Sequence, residues 1–271
     1  MIDRRSTGAT MRATAFVLAL VALAARPGRS AGFDRDIDDT CNSFGSGTHL
    51  QTLTTSSPVP AGETVLISAV TTANVTLTGA SDDAGNAYQQ TGFDADSKFA
   101  MRAIAGQLES PLSAGQQITL SFLVTGEGGT SCALAYLVDD LLASDVTSSS
   151  FGSSNLAQVS IGAGLLTQPD EFVQTVFYGN PPSGSVDGAI NAPLVDQNAF
   201  CIGTINGQMC RLSAYGVLPT TDAFTASLSL TASVPWGALI VAYQAAPEPE
   251  AALAALAALA ALVAVRSRRD R

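Results

Sequence analysis

His49 is the single histidine of the 271-residue chain. Any Ser-His-Asp or Cys-His machinery would have to be built on it, because an imidazole titrating near neutrality is the usual base for such nucleophiles. It stands in "GSGTHLQT", a Gly- and Ser-rich stretch expected at a surface. No G-x-S-x-G elbow accompanies it; in "GSVDG" the serine comes one place early. His49 therefore reads as an incidental surface residue, and no catalytic set is expected.

The four cysteines, Cys41, Cys132, Cys201 and Cys210, lack the C-x₂₋₄-C pairs of zinc sites. Four cysteines allow three disulfide connectivities. The local pairing, Cys201 with Cys210, closes across "IGTINGQM", which reads as a hairpin turning at Asn206-Gly207. Cys41 with Cys132 then pins the N-terminal segment to the body. In "SDDAGNAY", Asp82, Asp83 and Asn86 are a candidate calcium loop, since calcium takes several oxygens from one segment. The D-x-D-x-D-G spacing of an EF-hand is missing, and the same residue types build ordinary turns. Turn chemistry is the expected role, and no cofactor is expected. A carboxylate pair for glycoside hydrolysis depends on separation in space, which the sequence does not supply. Trp236 is the only tryptophan and aromatics make up 6% of the chain. Core packing is its expected role, ahead of a sugar-stacking platform.

The elements that would position these residues read as strands. "ETVLISAV", "QITLSFLV", "FVQTVFY", "FTASLSLTA" and "GALIVAY" alternate with period two over part of their length, between turns such as "PAG", "SDDAGN", "GEGG" and "GNPPSG". "CALAYLVDDLLAS" reads as a strand followed by a short helical turn. "VPAGETVLISAV" and "LSAGQQITLSFLV" share an Ala-Gly ahead of the strand, where glycine can take a positive φ. The predicted fold is all-β, a two-sheet sandwich of jelly-roll kind spanning residues 51–246, preceded by an exposed lead-in over 32–50.

Charge is distributed unevenly. Between Ala31 and Pro247 the cations are Arg35, Lys98, Arg102 and Arg211 against 19 acidic residues, a net charge of −15. Phosphate binding needs clustered Lys and Arg, so nucleic acid is excluded as an expected partner. The remaining basic residues flank two apolar ends. "MRATAFVLALVALAARPGRSAG" has the basic start, apolar stretch and small residues of a secretory signal peptide. It covers residues 1–31, with Met11 as an alternative start and cleavage expected after Ala24 or Ala31. At the other end, residues 251–265 would span about 22 Å as a helix at ~1.5 Å per residue. That is short against a hydrocarbon core of about 30 Å, as for a transient anchor. With arginines on the cytoplasmic side of both apolar ends, the acidic body is placed across the inner membrane.

Pro247-Glu248-Pro249, the apolar segment and then Arg266, Arg268, Arg269 and Arg271 resemble a PEP-CTERM sorting signal over residues 247–271. One departure is Ala246, where many members carry valine. The resemblance implies Sec-dependent export, transient inner-membrane anchoring and removal of the tail by an exosortase, the processing enzyme of Gram-negative bacteria that make extracellular polysaccharide. The body, through "PAGETVLISAV", "SDDAGNAY", "SAGQQITLSF" and "VPWGALIVAYQ", resembles exported bacterial and phage β-sandwich domains that bring no catalytic residues with them. Together these lead to a non-enzymatic matrix or envelope component at the cell surface, with extracellular polysaccharide as expected partner. A lectin-like glycan-binding module is the alternative, and a polysaccharide-acting hydrolase with a carboxylate pair is the third reading.

Overall fold

The computed structural model describes residues 31–139, 141–181, 188–204 and 207–245. The signal-peptide and sorting-signal residues, Pro247, Glu248, Pro249, Arg266, Arg268 and Arg269 among them, lie outside the described residues. All regular structure described is strand: β1 (Gly32–Phe44), β2 (Gly47–Thr54), β3 (Thr64–Thr72), β4 (Val75–Asp82), β5 (Gln89–Ala95), β6 (Phe99–Gln107) and β7 (Gln117–Val124), then β8 (Gly129–Asp139), β9 (Leu141–Ile161), β10 (Glu171–Gly179), β11 (Gly188–Ile190), β12 (Val195–Thr204), β13 (Gly207–Leu218) and β14 (Phe224–Ala245).

They form three antiparallel sheets. Sheet I has the order β1-β8-β3-β6-β5; sheet II has β11-β14-β10-β13-β12, with β9 also on β14; sheet III has β2-β7-β4. The fold is a β-sandwich with more layers than the two expected. In β3, Leu66 and Val70 face sheet II, where they meet Phe172, Val176, Leu239 and Val241. The alternate residues Val65, Ile67 and Ala69 face sheet III and pack on Leu53, Ile118, Leu120 and Phe122. Sheet II is covered on its far side by its own longest strands. Ala226 and Leu228 of β14 share a cluster with Ala238 and Ile240 of the same strand and with Ala157 and Val159 of β9. This return is made at a register shift, where β14 advances from Ser229 to Val234 while β9 moves only from Leu156 to Ser154. Such bulges bend a ribbon.

Coverage on both faces explains the sequence. A strand buried on both sides reads as a nearly continuous apolar run, whereas alternation marks a single buried face. Every residue of β3 and of β10 is buried. At the centre, Gln174 of β10 and Ser68 of β3 are hydrogen-bonded across the sandwich, Gln174 Nε2 donating to Ser68 Oγ at 2.9 Å, and Tyr243 Oη of β14 donates to Gln174 Oε1 at 2.8 Å, so that these groups keep partners when removed from water.

Two expectations are corrected. Residues 32–50 are not an exposed lead-in: β1 pairs with β8 from Gly32↔Asp139 to Phe44↔Gly129, and Ile37 is buried. Its acids mask this, because β1 is an edge strand, and charges on an edge discourage pairing with other chains. "CALAYLVDDLLAS" contains no helical turn among its described residues; β8 runs to Asp139 in sheet I and β9 starts at Leu141 in sheet II. The Ala-Gly echo is structural: Gly62 and Gly115 take φ of 89° and 86°, and the two strand entries are joined by a bridge between Val59 and Leu112.

Candidate functional site

His49 lies in β2, half-buried, with its ring stacked on Phe44 at 5.0 Å between centroids. Its Nε2 is buried with no hydrogen-bond partner. A catalytic imidazole needs a nucleophile on one nitrogen and an orienting group on the other; this ring is instead a packing element beside the β1–β2 turn.

All four cysteines are paired as expected, Cys41–Cys132 and Cys201–Cys210. Each bond joins residues directly opposite one another in an antiparallel ladder, β1 on β8 and β12 on β13. The second ladder closes at Thr204↔Gly207, so the connection comprises residues 205 and 206, which lie outside the described residues.

The Asp82–Asn86 turn does its work with hydrogen bonds. Asp82 accepts from Ala84 N, Asn86 N and Asn86 Nδ2 at 2.9–3.0 Å and from Tyr88 Oη at 2.8 Å. Asp83 Oδ2 accepts from Gln117 N at 2.8 Å. Asn86 Oδ1 accepts from Glu109 N and Ser110 N at 2.9 and 2.8 Å. Oxygens already occupied by N–H and O–H donors are not turned toward a cation, so the candidate calcium set is a turn clamp. Gly85, at φ 86°, completes it.

Trp236 is a core residue, 7% exposed, with Nε1 donating to Ser154 Oγ at 3.0 Å. Its ring covers Gly152, where a Cβ would sit 2.5 Å from the indole.

Asp145 and Glu171 form a close carboxyl pair. Thr167 N donates to Asp145 Oδ2 and to Glu171 Oε1, each at 2.9 Å, so one N–H bridges the two carboxyls. Burial, then the neighbouring Asp145 carboxyl, pushes the Glu171 carboxyl above its ordinary value. Burial acts in the same sense on Asp145, but hydrogen bonding, first of all from Thr167 N, outweighs it and holds that carboxyl below its usual value. Glycosidase carboxyls stand about 5–9.5 Å apart to admit an anomeric carbon or a water. This pair is instead bridged by Thr167 N, and Glu171 is fully buried. It fastens the segment before β10.

A concavity lies at the rim of the sandwich, where the β5–β6 end of sheet I meets the start of β9 and the end of β14. It has a volume of about 480 Å³, within the range of roughly 300–1,000 Å³ for small-molecule sites. Small residues, Ala87, Ala105, Gly106 and Ala143 with Leu141, make its apolar surface; Gln89, Gln107, Glu109 and Ser144 supply polar groups. Gly106 is required, because a Cβ there would come within 2.4 Å of the Tyr88 ring on its other side. At the floor, Thr91 Oγ1 and Tyr243 Oη are 2.8 Å apart; since Tyr243 donates to Gln174, Thr91 is the donor to Tyr243. The side chains that could meet a ligand are exposed at the mouth, while this relay fixes the base. None of these residues was singled out from sequence. They come from strands and turns far apart in the chain, and the visible trace, Gln-Gln after "NAY" and "AIAG" before Gln107, has no motif character.

The chain matches no protein-family model, and no curated protein or solved structure matches it.

Proposed function

We propose that this is an exported β-sandwich protein of the cell envelope or extracellular matrix, acting by binding and not by catalysis. It crosses the inner membrane by the Sec route, is held there transiently by residues 251–265, and is trimmed at Pro247-Glu248-Pro249 by an exosortase. The observation that carries this reading is the pair of cross-strand disulfides that engage all four cysteines. Structural disulfides persist in oxidising compartments and are rare where thiols are kept reduced. The acidic body between basic, apolar ends supports the same route. A lectin-like role within that setting is favoured by the rim cleft.

A C-terminally tagged copy, expressed in a polysaccharide-producing Gram-negative host with and without an exosortase, tests the route. The expected result is a body outside the cytosol in both hosts, losing its tag only where the exosortase is present. Recovery of an intact, tagged, fully reduced chain from the cytosolic fraction would overturn the proposal.

A further inference from the structure

The geometry points to the rim cleft as a binding site for an uncharged saccharide of one or two rings, held by Gln89, Gln107, Glu109 and Ser144. This deepens the binding role proposed above and does not rest on the terminal signals.

Charge narrows the ligand first. No cation lines the cleft among the described residues, and its one ionisable side chain at the mouth is Glu109. A phosphate, sulfate or uronate would enter a site with a carboxylate and no counter-charge, in a body of net charge −15. Such groups are bound by Arg, Lys or helix N-termini, where the charge-assisted bonds are strongest. An apolar ligand is disfavoured for the opposite reason: covering two amides, a hydroxyl and a carboxylate without partners leaves each desolvated and unpaired.

What remains is a ligand dense in groups that both donate and accept. A carboxamide offers two donors and an acceptor, a serine hydroxyl one donor and two lone pairs, and a carboxylate accepts twice over. The side chains of Gln89 and Gln107 are exposed, and neither is held by a strong internal bond; Gln107 Nε2 reaches only Gly62 O, at 3.5 Å. The methyl groups of Ala105 and Ala143 and the side chain of Leu141 give an apolar surface for the C–H face of a sugar ring.

The site is also pre-organised, which lowers the cost of binding. Thr91 donates to Tyr243, Tyr243 to Gln174 and Gln174 to Ser68, a relay running from the cleft floor to the centre of the sandwich. The Asn86 carboxamide holds the backbone N–H groups of Glu109 and Ser110, fixing the turn that carries Glu109. A single carboxylate in the lining suits recognition; hydrolysis by the usual route needs two flanking the bond.

The test uses the full chain exported to the periplasm of an expression host and purified in its oxidised form. It is screened against a neutral glycan array, followed by calorimetry with hexoses, N-acetylhexosamines and their disaccharides, with glucuronate and glucosamine as charged controls. Saturable binding to at least one neutral saccharide is expected. The Gln89→Ala/Gln107→Ala double variant and Glu109→Gln should each weaken it at least tenfold, with the melting temperature unchanged because these side chains are exposed. Leu50→Ala, on the far face of sheet III, should leave affinity as it was. The inference is overturned if no neutral saccharide binds, if a charged control binds more tightly, or if binding survives both cleft variants. Failure here with the body still found outside the cytosol would remove the ligand and leave the export reading standing.

Discussion

Replacing Cys41 and Cys132 with alanine opens a cross-link between residues separated by 91 positions, whereas the same change at Cys201 and Cys210 opens one separated by 9. On the chain-entropy account a disulfide restricts the unfolded state by about 2.1 + 1.5R ln n cal/mol/K. At 25 °C that corresponds to about 4.6 kcal/mol for the long loop and about 2.6 kcal/mol for the short one. The packing lost is closely matched, since each pair has one fully buried sulfur, at Cys132 and Cys210, and one half-buried partner. The difference between the double variants, about 2 kcal/mol, thus isolates the loop term. Because the loops do not overlap in sequence, the quadruple variant should lose the sum. Urea unfolding followed by far-UV circular dichroism and by the fluorescence of Trp236 measures all three variants. The m-value should rise most where the long loop is opened, as the unfolded chain expands. Equal losses in the two double variants, or a larger loss at Cys201–Cys210, would refute the reasoning.

Three further outcomes follow from the buried polar groups. Glu171 has a folded-state pKa raised above its unfolded value, so its contribution to stability is complete at acid pH and is lost as pH rises through that raised value; Glu171→Gln should flatten this alkaline-side loss in melts taken from pH 4 to 9, and an unchanged slope would contradict the raised value. Arg211 is fully buried with Nη2 on Asp39 Oδ2 at 2.9 Å; Arg211→Met should cost about 3 kcal/mol by breaking this ion pair, and adding Asp39→Asn should restore much of it, both read by urea titration. Asn86→Ala should cost about 3 kcal/mol, since it leaves the Glu109 and Ser110 N–H groups without an acceptor, while the parent protein should melt at the same temperature in millimolar calcium and in EDTA.

Much of the strand content was legible, and the reason is local. "QITLSFLV" became β7 with Ile118, Leu120 and Phe122 buried and Thr119 and Ser121 turned outward, the alternation of a sheet with one covered face. The Ala-Gly entries and the Cys201–Cys210 disulfide were likewise readable from short-range chemistry, and Cys41–Cys132 followed as the pair that remained. The layering was not, because it depends on what covers the second face of β3, β8 and β10, and their own residues report burial without naming the partner. β9 was hidden for the opposite reason: "SDVTSSSFGSSN" lies in a strand with much of its surface exposed, and its serines resemble loop composition. β1 was hidden by acids suited to an edge. The cleft was least legible of all. Thr64, Gln89, Gln107, Ser144 and Tyr243 are gathered by sheet pairing and by the change of sheet between β8 and β9, and no spacing along the chain encodes that meeting.

Intact-mass determination on the protein recovered from its own producing cell is the most direct test of the proposed export, oxidation and trimming. The account predicts a species that begins after Ala24 or Ala31, lacks the apolar and arginine-rich segment beyond Pro249, and weighs four hydrogens less than its reduced form because both disulfides are closed. A mass that retains residues 251–271 together with four free thiols would contradict it.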